Sequence, residues 1–191
     1  LLYRVISFLT NIAYKGAVLN FAATEGIKQM LDEKTNQSTQ SVVIFNGFPE
    51  EIRSYKTSKF DRFTVVFHGI LGQFQDVELL AKLGRRLDAY DVDLIVIGYG
   101  AKEEIIVNCD ATSIKYMGKR PFDETMEIVS KCHLGVSFRT DNPISQGAFP
   151  VKVWEYLGLG IPAICTPKSE AGRFLEQYGC GREFTSDAID E

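Results

Sequence analysis

The sequence predicts an α/β protein built on a doubly wound parallel sheet of about six strands, and three observations carry that prediction. From residue 63 onward, short apolar runs alternate regularly with amphipathic stretches, the rhythm of right-handed βαβ units. These runs are bounded by Gly, Pro, Asn and Asp, the residues that close strands and open turns. The length, 191 residues, suffices for one good core and a smaller satellite piece, and there is no internal repeat or low-complexity tract.

Taken in order, the first element is a helix. Arg4, Ser7, Asn11 and Tyr14 with Lys15 fall on one stripe at helical spacing, while Leu2, Val5, Ile6, Phe8, Leu9 and Ile12 fill the opposite side. Arg4 does precede an apolar run, but this pattern argues against a signal peptide, and no run approaches the ~20 apolar residues that span a bilayer. With Leu1 already part of a patterned segment, the chain reads as a fragment of a longer protein. Residues 16–22 read as a short buried strand, and Thr24 as the cap of a helix over 25–31. The polar residues 32–41 read as a loop, 41–45 as a strand closed by the turn pair Asn46-Gly47, and the charged, hydroxyl-rich 49–61 as a linker. Beyond it, strands are expected over 63–67, 93–97, 113–117, 133–138, 161–166 and 181–184. Helices are expected over 76–90, 102–107, 123–131, 151–159 and 169–178, the last with Ser169 as N-cap and Gly179 just past its end.

Composition excludes several function classes. A formal charge of −4 and a pI near 5.3 give no electrostatic case for nucleic-acid binding. Cys109, Cys132, Cys165 and Cys180 form no Cys-x-x-Cys pair and read as reduced thiols of a cytosolic protein. The two histidines lie far apart in sequence, so no metal-ligand cluster is visible.

The helix over 151–159 is the most informative segment. It sets Lys152 and Glu155, three positions apart and so on one face, among the core-type residues Val151, Val153, Trp154, Tyr156, Leu157 and Leu159. Two readings stand: a solvated ion pair on an exposed stripe, or two buried charges held ready for an anionic, hydroxyl-rich ligand. Ligands of doubly wound sheets bind outside the carboxyl ends of the strands, so the loops there matter most. The first runs from His68 to Gln75, with Gly69 and Gly72 allowing close approach of backbone to ligand at a helix N-terminus, or simply making a tight turn. The Gly98-Tyr-Gly100 loop is no dinucleotide fingerprint, because the expected glycine pattern after the first strand of the sheet is missing. Lys119 and Arg120 are loop cations, either solvated or facing a ligand.

The run FPVKVWEYLGLGIPAI over 149–164 resembles the nucleotide-sugar-binding motif of GT-B glycosyltransferases of the family 4 (group 1) type. The likeness extends over 63–184, in the order of that family's Rossmann-like C-terminal half, while 17–48 resembles the end of its N-terminal domain. It implies a remnant of the N-terminal domain over 1–48, a linker over 49–61 and the nucleotide-sugar-binding domain over 62–191. It implies transfer of a sugar from a nucleoside diphosphate donor, a UDP-sugar first among candidates, with retention and without metal or other cofactor. The acceptor would be a glycan or lipid-linked, as in cell-surface polysaccharide assembly, in the cytoplasm at the inner face of the membrane, with peripheral association of the full-length protein.

Residue by residue, the resemblance puts Glu155 on the ribose, where a carboxylate can accept two hydrogen bonds from a vicinal diol, and Lys152 on phosphate. Gly69 and Gly72 would line the diphosphate loop, Gly118 the base, Lys119 phosphate or base, and residues 145–149, among them Gly147, Ala148 and Phe149, the donor sugar through backbone N–H groups, with His68 a further contact. The chain departs from the pattern at three places: Ile70 and Gln75 replace the loop's usual cations, and Gly147 stands where the first Glu of E-x7-E belongs, leaving Asp141 the nearest acid. The usual catalytic histidine would lie outside the chain, so the catalytic residues are unassigned and 1–191 alone is expected to be inactive. A nucleotide-sugar 2-epimerase and a non-catalytic binding module are the alternatives.

Overall fold

The computed structural model describes residues 2–55 and 57–190. Its larger sheet holds six parallel strands in the order β5-β4-β3-β6-β7-β8, formed by β3 (Phe63–Ile70), β4 (Val92–Tyr99), β5 (Ile114–Gly118), β6 (Leu134–Phe138), β7 (Ala163–Thr166) and β8 (Gly181–Glu183). Order reverses between β3 and β6, so the switch point of the sheet lies at their carboxyl ends. Side chains alternate across the sheet with period 2. Val65, Phe67, Leu94 and Val96 pack under α3 (Val77–Leu87), whereas Val66, Ile95 and Ile97 face the helices α5 (Phe122–Ser130), α7 (Val151–Gly158) and α8 (Glu170–Gln177). α4 (Glu103–Val107) adds Ile106 to the α3 side.

Local signals bound α8 close to where its sequence predicts. Ser169 caps α8 by accepting from Gly172 N at 3.2 Å. At its other end Gly179, at φ 64°, is followed by Cys180, whose N–H reaches back to Leu175 O at 2.9 Å. β3 runs three residues past the expected end at residue 67, because Gly69 and Gly98 pair side by side at φ 128° and 152°. A Cβ on Gly98 would lie 1.8 Å from Gly69 O, so this close approach requires glycine.

The N-terminal residues form α1 (Leu2–Gly16), β1 (Leu19–Ala22), α2 (Glu25–Thr35) and β2 (Gln40–Val43), with β1 and β2 paired in parallel in a sheet of their own. α2 corrects the loop expected from residue 32. Lys28 pairs with Asp32, Gln29 bonds Glu33, and Asn36 at φ 50° closes the helix by donating to Asp32 and Glu33 carbonyls. α1 is amphipathic as its spacing predicts, but its polar side faces the protein. Ser7, Thr10, Asn11 and Tyr14 are half-buried, and Leu2, Val5, Ile6, Phe8, Leu9 and Ile12 are exposed.

Described residues on either side of residue 56 dock on the larger sheet's helices. A short 3-10 helix (Glu50–Ser54) buries Ile52 completely in the α7-side core, Tyr55 donates to Asp123 at 2.8 Å, and Lys59 Nζ donates to the carbonyls of Ser130 and Cys132. The start of α2 also meets the elements around the larger sheet. Glu170, at the start of α8, accepts from the N–H groups of Glu25 and Gly26 at 2.7 Å each, and the Thr24 hydroxyl donates to Gly147 O at 2.6 Å.

Candidate functional site

α7 reaches the switch point because its buried face is anchored. Tyr156 is fully buried, with its hydroxyl 3.3 Å from the carbonyls of Val66 on β3 and Val136 on β6. Its ring lies over Gly135, where a Cβ would come within 2.3 Å of ring carbon. With Val153 also at 0 % exposure, α7 cannot rotate without opening the core, and this sets the directions of Lys152 and Glu155.

Those two residues do not form the solvated surface pair. Among the described residues they make no ion pair with each other, and each turns to an uncharged group of β3 or its loop. Lys152 Nζ donates to Gln75 Oε1 at 3.2 Å and sits 3.8 Å from the centre of the Phe67 ring. A Cβ on Gly69 would lie 3.2 Å from Nζ, so Gly69 leaves room for the ammonium. Burial and the neighbouring Arg139 push the Lys152 ammonium down to about 7, so the site holds a cation poised to lose its proton near neutrality.

Glu155 is 9 % exposed, and Oε2 lies 3.4 Å from His68 Nε2. His68 is inside β3 rather than at its end, buried against the edge of the Tyr156 ring. Burial, with Lys152 nearby, holds its imidazole down to about 3, so His68 is neutral and the contact with Glu155 is not an ion pair. Nε2 makes no hydrogen bond of good geometry, and burial raises the Glu155 carboxyl above its ordinary range while Lys152 opposes the rise. Glu155 is thus a carboxylate with unused acceptor capacity beside a neutral ring.

Loops close the site on both sides. Asp76 N donates to Phe138 O at 3.1 Å and Thr140 N to Phe74 O at 3.2 Å, which stitches the loop after β3 to the loop after β6. The second loop holds a short helix, α6 (Pro143–Gln146), capped by Asn142 accepting from Ser145 N. In this turn Gly147 N donates to Pro143 O and Ala148 N to Ser145 O, so neither N–H is free as the resemblance implied, and the Gly147 carbonyl is taken by Thr24. Phe149 is buried and stacks on Trp154 at 4.2 Å. Asp141 accepts from the Gln146 side chain at 2.8 Å and is exposed.

On the other side, a cleft of about 250 Å³ opens over the ends of β3, β4 and β5, bordered by His68, Gly69, Tyr99, Lys119, Arg120 and Phe122. Lys119 Nζ lies 4.7 Å over the Tyr99 ring, and Gly118, at φ 66°, has open space where a side chain would stand. Arg120 is held by Glu124 and the Met117 carbonyl, as a surface cation would be. Gly72 lies beside the exposed Ile70 side chain, and its carbonyl accepts from Gln75 N at 2.9 Å.

One cation went unremarked in the sequence. Arg139, the first residue after β6, pairs through its backbone with Gln75, and its Nε donates to Ser145 Oγ at 3.3 Å. Its signal was its position: a basic residue at the carboxyl end of a strand next to the switch point. Among the described residues no group of three His, Cys, Asp or Glu side chains could hold a metal ion, and no helix is long and apolar enough to cross a membrane.

No family model and no curated protein matches the chain. Solved structures do. HepE from Anabaena, in complex with UDP-glucose, superposes at a TM-score of 0.69 and 18 % identity over 91 % of this chain and 53 % of its own. The pneumococcal O-GlcNAc transferase GtfA, in complex with UDP and GlcNAc, gives 0.73 and 17 %, covering 95 % of this chain and 38 % of its own. The lipopolysaccharide outer core galactosyltransferase WaaB, in its apo form, gives 0.68 and 18 %, over 91 % and 50 %. The fold is that of a GT-B half. At these identities the likeness concerns fold alone, and the chain spans about half or less of the length of each structure. Within the GT-B frame, the six-stranded sheet and its flanking helices are the Rossmann-like part.

Proposed function

We propose that the chain binds a nucleoside diphosphate sugar and forms the donor-binding half of a glycosyltransferase of the family 4 type. The single observation that carries this reading is the placement of Lys152 and Glu155. A cation and a carboxylate, mutually unpaired, stand one helical turn apart at the switch point of a doubly wound sheet, each against an uncharged neighbour. Lys152 suits a phosphate and Glu155 a ribose diol, and the cleft beside Tyr99 and Lys119 leaves space for part of a base. That HepE and GtfA were solved with UDP adds support, as a property of those proteins in the same fold.

In the reaction this implies, the bond from the anomeric carbon to the diphosphate oxygen breaks with its electron pair leaving on the diphosphate, while an acceptor hydroxyl oxygen bonds to the anomeric carbon and gives up its proton to the departing diphosphate or to solvent. The chain's part is to stabilise that charge with preorganised donors. Retention, independence of metal, a glycan or lipid-linked acceptor, a role in polysaccharide assembly and contact of the full-length protein with the inner face of the membrane belong to the same reading. So does the division into residues 1–48, 49–61 and 62–191, with the acceptor groove in the whole protein formed by further chain. Saturation-transfer NMR of residues 1–191 against UDP-, GDP- and dTDP-sugars tests the proposal. We expect transfer to the ribose and base protons of one nucleotide, lost on Glu155→Gln; no transfer from any of them would overturn it.

A further inference from the structure

Lys152 is not the only cation that converges on the crevice. Arg139 leaves β6 directly opposite Gln75 of the β3 loop, and the same Gln75 side chain receives Lys152, so one residue ties both cations to one spot. Ser145 is fully buried, and its hydroxyl holds the Arg139 Nε, which fixes the side chain's stem and leaves its terminal nitrogens to point elsewhere. Among the described residues those nitrogens meet no carboxylate. Arg139 acts on Lys152 as a neighbouring like charge, and because both side chains are half-buried, water screens their repulsion less than it would on an open surface. A fold keeps such an arrangement at a cost unless an anion completes it.

Strand order says which part of the anion each cation meets. The sheet runs β5-β4-β3-β6, with the open cleft over β5, β4 and β3, Lys152 over Phe67 and Gly69 of β3, and Arg139 at the end of β6. A ligand with its nucleoside in the cleft therefore passes Lys152 first and Arg139 second.

We infer that Arg139 is the second cation of the diphosphate seat and reads the phosphate farther from the nucleoside, taking over from the loop after β3, where Ile70 and Gln75 carry no charge. This inference rests on the proposed donor-binding role. It makes Arg139 the residue that separates a diphosphate from a monophosphate, and Ser145 its positioning residue.

Titration calorimetry tests it on residues 1–191, with whichever of UDP, GDP and dTDP binds the wild type most tightly, the matching monophosphate and the nucleoside. Arg139→Gln is expected to weaken the diphosphate at least tenfold and the monophosphate less than threefold, with the nucleoside unmoved. Ser145→Ala, which frees the guanidinium without removing it, is expected to give a smaller loss confined to the diphosphate. Thermal melts confirm that each variant is folded, and should Arg139→Gln not fold, the Ser145→Ala result decides. Equal losses on all three ligands, or a diphosphate bound as tightly as by the wild type, would overturn the role of Arg139 while leaving the donor-binding reading intact. A wild type that binds none of UDP, GDP and dTDP would overturn that reading and this inference with it.

Discussion

α1 and α7 are both amphipathic helices that carry two charged residues, yet they sit in the molecule in opposite ways. α7 turns Lys152 and Glu155 toward the crevice between β3 and β6 and buries Val153 and Tyr156 beneath them. α1 lays the uncharged polar residues Ser7, Thr10, Asn11 and Tyr14 against the protein, while Arg4 and Lys15 at the edge of that stripe and the apolar Leu2, Val5, Ile6, Phe8, Leu9 and Ile12 are exposed. Spacing sorted the residues of both helices onto faces correctly. It said nothing about which face is covered, because that depends on what the rest of the chain brings alongside. In α7 the consequence is chemical, since a lysine expected to be fully charged has its ammonium brought to about 7.

The comparison can be broken most directly in the core. Tyr156→Ala removes the side chain that pins α7 to β3 and β6 and should cost about 3–5 kcal/mol, read from denaturant midpoints. If the loss were under ~1 kcal/mol, α7 would not be anchored as described.

Glu155→Gln comes next. Replacing a carboxylate that accepts from a diol should weaken nucleotide binding by about 1.5–3 kcal/mol in calorimetry, with the fold unchanged. A dissociation constant equal to that of the wild type would remove Glu155 from the site.

Lys152 sharpens the contrast through pH. Its proton is held below about 7 and lost above it in the empty site, so binding an anion above that pH requires taking a proton up. His68, held down to about 3, is neutral throughout and contributes nothing to the trend, while the groups acting on Lys152 are Arg139, Glu155 and Cys165. Affinity for UDP should therefore fall by up to about tenfold per pH unit between pH 7.5 and 9. Lys152→Arg should flatten the profile, and Lys152→Ala should weaken UDP far more than uridine. A flat profile in the wild type would show that the lysine stays charged.

The smallest effect is expected in α1. Leu9→Ala, on its exposed apolar side, should change stability by no more than ~0.5 kcal/mol in the same denaturant assay. A loss comparable to that of Tyr156→Ala would mean that the face is covered in solution and would erase the difference between the two helices.

Much of this arrangement is written locally. Thr24 and Ser169 cap α2 and α8, Gly179 ends α8, and alternating apolar runs mark β3 through β8, because caps and periodicity involve residues within a turn or two of each other. Lys152 and Glu155 were legible as charges out of place on an apolar helix. What stayed hidden is non-local. α2 runs on to Thr35 through polar side-chain pairs that composition alone reads as loop, and nothing in the charged residues around Ile52 announces that its side chain is buried in the core. His68 and Glu155 are 87 positions apart, and nothing near either announces the other. Sequence by itself determined the succession of strands and helices and which residues share a face. Only the tertiary structure decided that β6 lies next to β3, which places Gln75, Arg139 and Lys152 together and half-buries them; burial and proximity to distant charges are properties of the packed chain, not of any segment.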